Sequence, residues 1–290
     1  VSILNRLESG TRDARAESSP GGQGGLRTRS AMLLDGAPVV CATGADVLAR
    51  ISLRIAQGGA RPLAVCSVNV DHLHHFGHGR RALGRDVEWL AVADGAPVAG
   101  RGAMLARHPW PRVTGADLLP AVIAAAAENR WRIGFVGGTP AMHARLAPVL
   151  AEQYPGLDVA GYWAPERSEL DDPAASRRLG AEIRAAAPTV LVVGLGKPRQ
   201  EQWIDEVGPV TGAQVLLPFG AAADFLAGTV SRAPEAWQRV GAEWLYRLLQ
   251  EPRRLGRRYL VQGPRAALRL RRARIGQVTW PEAARPGELP

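Results

Sequence analysis

The sequence predicts an α/β protein: a Rossmann-like, mostly parallel sheet with flanking helices, followed by a C-terminal basic amphipathic helical appendage. Three observations predict it. Short apolar runs alternate with longer helical stretches, the pattern of parallel βαβ units. Each run closes on glycine or on a small polar cluster, where open α/β sheets carry their ligand sites. The chain of 290 residues, 46% hydrophobic and 22% charged, can bury one large core or two small ones.

Residues 1–35 read as a disordered N-terminal segment, because Ser9–Ser30 is polar, arginine-bearing and glycine-rich, with almost nothing to bury. The segment has no apolar stretch of signal-peptide type. A layered core is expected over 36–234. Pro62–Val68 is a buried strand ending at Asn69-Val70-Asp71, and Val87–Val92 a second ending at Asp94-Gly95. The alanine-rich Asp117–Asn129 is helical. Arg132–Val136 is a strand, closed by Gly137-Gly138-Thr139-Pro140 and followed by a helix over Ala141–Gln153. Leu157–Tyr162 is a strand, Ala174–Ala187 a helix, and Thr189–Val193 a strand running into Gly194-Leu195-Gly196. Gln214–Pro218 is the last core strand, ending in Phe219-Gly220.

The appendage spans 235–275. Glu235–Gln250 is helical, with Trp237, Val240, Trp244, Leu245, Leu248 and Leu249 on one side. Pro252 opens a further helix that runs to about Gln262 and stops at Gly263-Pro264; Arg265–Arg274 is a last helical piece. Leu255, Tyr259 and Leu260 form an apolar strip beside Arg253, Arg254, Arg257 and Arg258. That strip fits an interfacial amphipathic helix, and equally a solvated basic face on a packed one. Residues 276–290 read as a disordered tail.

Charge separates this end from the rest. Of 36 basic and 27 acidic residues, Arg247–Arg274 holds ten arginines and only Glu251, leaving 26 of each sign elsewhere. A neutral body with a cationic end points to a membrane surface, a diphosphate or a nucleic acid. No run approaches the ~18 apolar residues of a spanning helix, so a cytoplasmic protein, or one peripheral to a membrane, is expected. Cys41 and Cys66 form neither a disulfide framework nor a zinc pattern. Lys197 is the one lysine in the chain.

Four strand ends carry chemistry: Ser67 with Asn69, Asp94, Gly137–Thr139, and Gly194–Glu201. Both glycine turns lead into helix starts, whose free N–H groups and dipole favour phosphate. Neither is a P-loop or a full dinucleotide fingerprint, and glycine also serves simply to close a strand-to-helix turn.

From Pro62 to Leu260 the chain resembles the WecG/TagA/CpsF family of bacterial glycosyltransferases. The resemblance rests on ordered blocks: Ser67-Val-Asn-Val-Asp-His-Leu73, Ala93-Asp-Gly-Ala-Pro-Val98, Arg112-Val-Thr-Gly-Ala-Asp-Leu118, Gly134-Phe-Val-Gly-Gly-Thr139, and above all Val193-Gly-Leu-Gly-Lys-Pro-Arg-Gln-Glu-Gln-Trp203. Phe219–Gly228, Arg232–Pro234 and Gly241–Arg254 complete it. The resemblance implies a UDP-sugar donor, often UDP-N-acetylmannosamine, and an acceptor sugar on a polyprenyl diphosphate. It also implies inversion at the anomeric carbon and a product bound for cell-envelope or exopolysaccharide synthesis. Some members transfer glucose, so UDP-glucose is an alternative donor.

By the same resemblance Asp94 is the base that takes the acceptor's proton, and Ser67 and Asn69 orient hydroxyls. Ser67 stands where most members have threonine; the hydroxyl is kept. Arg112 is the side-chain clamp on the leaving diphosphate, and Gly137, Gly138, Thr139 and Gly196 supply backbone donors. Gln200 is a site residue supported by Glu201, and Asp224 is a weaker candidate for the nucleotide sugar. From the charge of the appendage itself, some of Arg247, Arg253, Arg254, Arg257 and Arg258 are expected to reach the carrier's diphosphate and close the active site. Lys197 is either a phosphate contact or an exposed loop lysine.

No Asp-x-Asp pair occurs, and no obligatory metal or other cofactor is expected. His72, His74, His75 and His78 cluster, but with Asp71 as their only nearby carboxylate they read as a hydrated or acceptor-facing segment rather than a metal site. The expected partners are the UDP-sugar, the lipid-linked acceptor and the anionic inner face of the cell membrane, with self-association left open. A nucleic-acid-binding protein is the alternative of another class, through Trp244, Tyr246 and Tyr259 among the arginines. No nucleic-acid motif accompanies them.

Overall fold

A computed structural model describes residues 26–34, 37–76, 86–230, 233–234, 237 and 243–281. Strands β1 (Leu26–Leu34) and β2 (Ala37–Val40) precede helix α1 (Gly44–Gln57). Then come β3 (Leu63–Val68), α2 (Val70–Phe76), β4 (Glu88–Ala93), α3 (Ala96–Ala106), α4 (Gly115–Asn129), β5 (Ile133–Gly137), α5 (Pro140–Gln153) and β6 (Val159–Trp163). The short α6 (Arg167–Asp171), α7 (Pro173–Ala185), β7 (Val190–Gly194), α8 (Arg199–Val207), β8 (Val215–Leu217) and α9 (Gly220–Leu226) follow. Helix α10 (Glu243–Gln250) leads to α11 (Pro252–Gly256), a π-helical stretch (Arg257–Gln262), α12 (Gly263–Ala267), a 3-10 turn (Leu268–Arg272) and β9 (Arg274–Pro281).

Among the described residues nine strands make one sheet, in the order β6-β5-β7-β8-β3-β4-β2-β1-β9. From β6 to β2 every pairing is parallel; β1 is antiparallel to both β2 and β9. The Rossmann-like architecture is therefore present, with an antiparallel ribbon added at one edge.

The strands sort their side chains by alternation. Leu63, Val65, Leu90, Val92, Ile133, Phe135, Val190, Val192, Val215 and Leu217 pack on one face against α1, α4, α5 and α9. Cys66, Val68 and Ala93 on the other face meet α2, α3 and the C-terminal helical run. Ala64, Val136, Leu191, Val193 and Leu216 meet α7 and α8 there. Central strands buried on both faces read as continuous apolar runs, and those are the strands the sequence analysis placed.

Helix α1 has a local cause for its start. Thr43 accepts the Asp46 N–H at 3.2 Å, and Asp46 accepts the Thr43 N–H at 2.8 Å, a reciprocal capping box. Arg29 of β1 reaches Asp46 at 2.6 Å. That bond and the Thr43 contacts outweigh partial burial and hold the Asp46 carboxyl down at about 2. Glu88, which opens β4, is held by Arg50 and Arg54 of α1.

Three expectations are corrected. Residues 26–34 and 276–281 were expected to be disordered, yet they lie in β1 and β9, paired with each other from Leu26↔Pro281 to Leu33↔Arg274. β9 is the edge strand and β1 its neighbour; both carry exposed polar residues, and the apolar run in β1, Ala31–Leu34, is only four residues long. Their order comes from pairing, from buried Met32 and Trp280, and from Arg29 stacked 4.7 Å over the Trp280 ring.

Gly263-Pro264 does not stop the helical run, which continues from Pro252 to Arg272. Pro264 falls in the first turn of α12, where its missing N–H costs little. The apolar strip also divides: Leu255 is buried, whereas Leu260 is 63% exposed. One side of the run packs inward, where Ala266 and Leu270 join the cluster of Leu73 and Trp110, and the other side stays open to solvent. Residues 1–25, 35–36, 235–236 and 282–290 lie outside the described residues, as do His78 and the side chains of Arg254, Arg258 and Tyr259.

Candidate functional site

The carboxyl ends of five adjacent strands, β5, β7, β8, β3 and β4, form one continuous edge. At about 4.8 Å per strand gap it extends for about 19 Å. The site residues expected in the core lie along this edge, in the turns just after it, in α8 and α9, and, for Arg112, in the loop before α4.

At one end stands a pair made by strand register. Val68 is paired with Ala93, so Asn69 and Asp94 emerge side by side from β3 and β4. Asn69 Nδ2 donates to Asp94 Oδ2 at 3.1 Å, while Asn69 Oδ1 accepts the His72 N–H at 3.1 Å and so caps α2. The Asp94 N–H donates to the Val68 carbonyl at 2.8 Å. Burial holds the Asp94 carboxyl above the usual carboxylate range. The Lys197 charge, the Asn69 hydrogen bond and the Arg112 charge pull it back down, and Asp117 pushes it up. Ser67, partly buried, lies one strand-turn below on the face of Leu63 and Val65.

Arg112 arrives from the loop before α4. The Val113 N–H donates to the Ala93 carbonyl at 2.8 Å and pins this loop beside β4. Thr114 then caps α4 by accepting the Asp117 N–H at 3.1 Å. Arg112 is thereby held partly buried, close enough for its charge to act on Asp94.

At the other end four glycines meet. Gly137 pairs with Gly194 across β5 and β7, and the Gly138 N–H donates to the Gly194 carbonyl at 3.2 Å. A Cβ on Gly137 would lie 2.4 Å from the Gly194 oxygen, and one on Gly220 2.7 Å from the Gly194 Cα. This contact sets the floor of a small cleft of about 40 Å³ between β5, β7 and the start of α9, bordered also by Met142 and Asp224. Gly138 thus spends its N–H inside the protein and contributes shape rather than a free donor. Thr139 likewise caps α5, accepting the Met142 N–H at 3.1 Å. Gly196, at φ +75 with open space around it, leaves its turn accessible.

Between the two ends lies the start of α8. Gln200 is buried, its Nε2 donating to the Pro218 carbonyl at 2.9 Å and to Glu201 Oε1 at 3.2 Å. It ties α8 to the end of β8. Glu201 is 1% exposed, and burial raises its carboxyl, opposed chiefly by Lys197. Lys197 is no exposed loop lysine: its side chain is 14% exposed and its Nζ lies 3.6 Å from Glu201 Oε1. The sequence analysis left this residue undecided. The signal that singles it out is its identity as the sole lysine.

Two expected groups are not brought into this edge. Arg253 and Arg257 are exposed and make no hydrogen bond or ion pair among the described residues. Their run nonetheless seats on α2, where Arg269 donates to the Leu73 carbonyl, and on α3, where Arg101 donates to the Leu270 carbonyl at 2.8 Å. Among the described residues the histidines do not converge on a shared site. His72 is buried, His75 lies 3.7 Å from Asp71, and no three His, Cys, Asp or Glu among the described residues are arranged to hold a metal ion. Tyr246 packs against Trp237 at 5.8 Å between ring centroids, which removes it as an open stacking platform. No helix among the described residues is long and apolar enough to cross a membrane. Residues 32–279 match the family model described as "Glycosyl transferase WecG/TagA/CpsF family".

Proposed function

The chain belongs to the WecG/TagA/CpsF family of glycosyltransferases, and from that premise we propose an inverting transfer from a UDP-sugar to a saccharide carried on polyprenyl diphosphate. N-acetylmannosamine is the first donor sugar to test and glucose the second. The observation that carries the reading is the Asn69–Asp94 pair, a raised carboxyl fixed at the end of the sheet's edge with a neutral donor on one oxygen.

The chemistry follows from that geometry. Asn69 occupies Asp94 Oδ2 and leaves Oδ1 to meet the acceptor hydroxyl. As the acceptor oxygen bonds to the anomeric carbon, its proton passes to Asp94, and the bond from that carbon to the diphosphate oxygen breaks. A raised carboxyl is the stronger base once ionised. Negative charge gathers on the departing UDP, where Arg112 and the open turn at Gly196 supply positive potential. The glycine cleft beside Asp224 is assigned to the nucleotide end of the donor. We assign Gln200 to holding the β8 turn rather than to the reacting atoms. No obligatory metal is proposed: the sequence has no Asp-x-Asp pair, and among the described residues no cation-binding set is arranged.

The C-terminal run suits the lipid-linked acceptor. Leu249, Leu260, Val261 and Leu268 are exposed among Arg253, Arg257, Arg265, Arg271 and Arg272, a face matched to the anionic inner leaflet. The test is UDP release across a panel of UDP-sugars with a lipid-diphosphate-linked acceptor sugar, with and without EDTA. One donor should stand out, EDTA should change little, and Asp94→Asn should lower turnover by about 10²–10⁴-fold. Undiminished turnover in Asp94→Asn removes it as the base.

A further inference from the structure

Helix α2 is short, Val70–Phe76, and a helix of that length does not hold itself together in water. Both of its ends are tied from outside. At its start Asn69 Oδ1 accepts the His72 N–H at 3.1 Å, and the Asn69 carbonyl accepts the Leu73 N–H at 3.2 Å. At its end the Leu73 carbonyl belongs to the last turn, whose carbonyls have no partner within the helix. Arg269 of the C-terminal run supplies the donor. A guanidinium there also meets the negative end of the helix dipole.

The hydrogen bonds therefore run in line from the C-terminal run to the site. Arg269 donates to the Leu73 carbonyl, the Leu73 N–H to the Asn69 carbonyl, and Asn69 Nδ2 to Asp94 Oδ2 at 3.1 Å. Arg269 is half-buried, whereas Leu268 beside it is 58% exposed, so this arginine is turned to the body of the protein. It is itself braced. The turn that carries it, Leu268–Arg272, ends in open carbonyls, and Arg101 of α3 takes two of them: Nε donates to Leu270 at 2.8 Å and Nη2 to Arg271 at 3.2 Å. Leu73, Val98, Trp110, Ala266 and Leu270 pack in one cluster between the run, α2 and α3. Helix α3 starts at Ala96, just beyond Asp94. The two helices that leave the Asn69–Asp94 pair are thus fastened to the same turn of the run.

We propose that Arg269 is a positioning residue for the transfer: it fixes the end of α2 and thereby holds Asn69 against Asp94. Arg269 touches neither the acceptor nor the donor in this role. It acts through Leu73 and Asn69, and Arg101 steadies its turn from α3. The inference rests on the Asn69–Asp94 pair being the reacting centre. It gives the C-terminal run a task separate from meeting a membrane.

The test uses the full chain without lipid vesicles, a short, water-soluble lipid-diphosphate acceptor sugar, and UDP-N-acetylmannosamine or UDP-glucose, whichever the donor panel selects. Arg269→Met keeps an apolar stem and removes the donor, whereas Arg269→Lys keeps a donor. In Arg269→Met kcat should fall about tenfold, and Arg269→Lys should recover most of that loss. KM for the UDP-sugar should stay unchanged in both, because the glycine cleft lies at the other end of the edge. The Asn69 side-chain amide, labelled with ¹⁵N and assigned by its loss in Asn69→Ala, should shift in Arg269→Met and return towards its wild-type position in Arg269→Lys. Should Arg269→Met fail to fold, Arg101→Met loosens the same turn from α3 and should show the same split and the same displaced amide. An unmoved amide, or a loss of turnover seen only when anionic vesicles are added, overturns the proposal. So does an unchanged kcat in Arg269→Met where Asp94→Asn loses turnover. A displaced amide with undiminished turnover in both Arg269→Met and Asp94→Asn overturns instead the functional reading.

Discussion

Asp94 carries two opposed consequences at the scale of a single residue. Its carboxyl is raised by burial, so between the ordinary carboxylate value and the raised one the folded state binds more protons than the unfolded state. Stability therefore falls as pH rises through that window, and a neutral side chain there should stabilise. Asp94→Asn is expected to lower turnover as above and to raise Tm by about 2 °C, measured by calorimetry near neutral pH. Activity has the reverse dependence: kcat/KM should rise with pH, with its acid limb above the usual carboxylate range. A second residue tests the interior. Burial pushes the Cys66 thiol up to about 12, so thiol reagents at pH 8 should leave it unmodified until the protein unfolds. Asp94 and Asn69 were legible because each closes an apolar run, and strand ends are where α/β sites lie. Lys197 was not: its partner Glu201 is four residues away, but its burial comes from the packing of α8 against the sheet.

At the scale of elements, the turns are more exacting than the helices they start. Alanine at Gly137 would place its Cβ against the Gly194 oxygen at a backbone φ of +95, and neither neighbour is a flexible side chain. A loss of about 3 kcal/mol is expected for Gly137→Ala by denaturant titration, along with weaker donor binding as the cleft floor shifts. Thr43→Ala should cost about 1 kcal/mol, a cap alone, with turnover unchanged. The sequence showed central strands well, since burial on both faces leaves a continuous apolar signature. It hid β1 and β9, because β9 carries the arginine, glutamine and threonine of an edge strand and the four apolar residues Ala31–Leu34 of β1 follow a polar, arginine-bearing lead-in. It also misread Gly263-Pro264, because a proline in a first turn permits a helix as readily as one beyond its end terminates it.

Across the whole molecule, the division between a neutral body and a basic end was plain from composition alone, and the fold gives it a location. The basic run packs inward through Leu255, Ala266 and Leu270 and outward presents leucine and arginine together. Replacing Arg265, Arg271 and Arg272 with glutamine should weaken binding to anionic vesicles about five-fold per residue at low salt, read by flotation, with the difference shrinking as salt rises. What composition could not reveal is that the chain returns afterwards to the sheet, since the pairing joins residues some 250 positions apart. That return has a mechanical side. Leu26 and Pro281 are partners at the same end of the β1–β9 ladder. Tension applied between those two residues would open it rung by rung, as a zipper parts, and not load all its hydrogen bonds at once as shear does. The ribbon that ties the molecule together is thus where a pull between its two ends would begin to undo it.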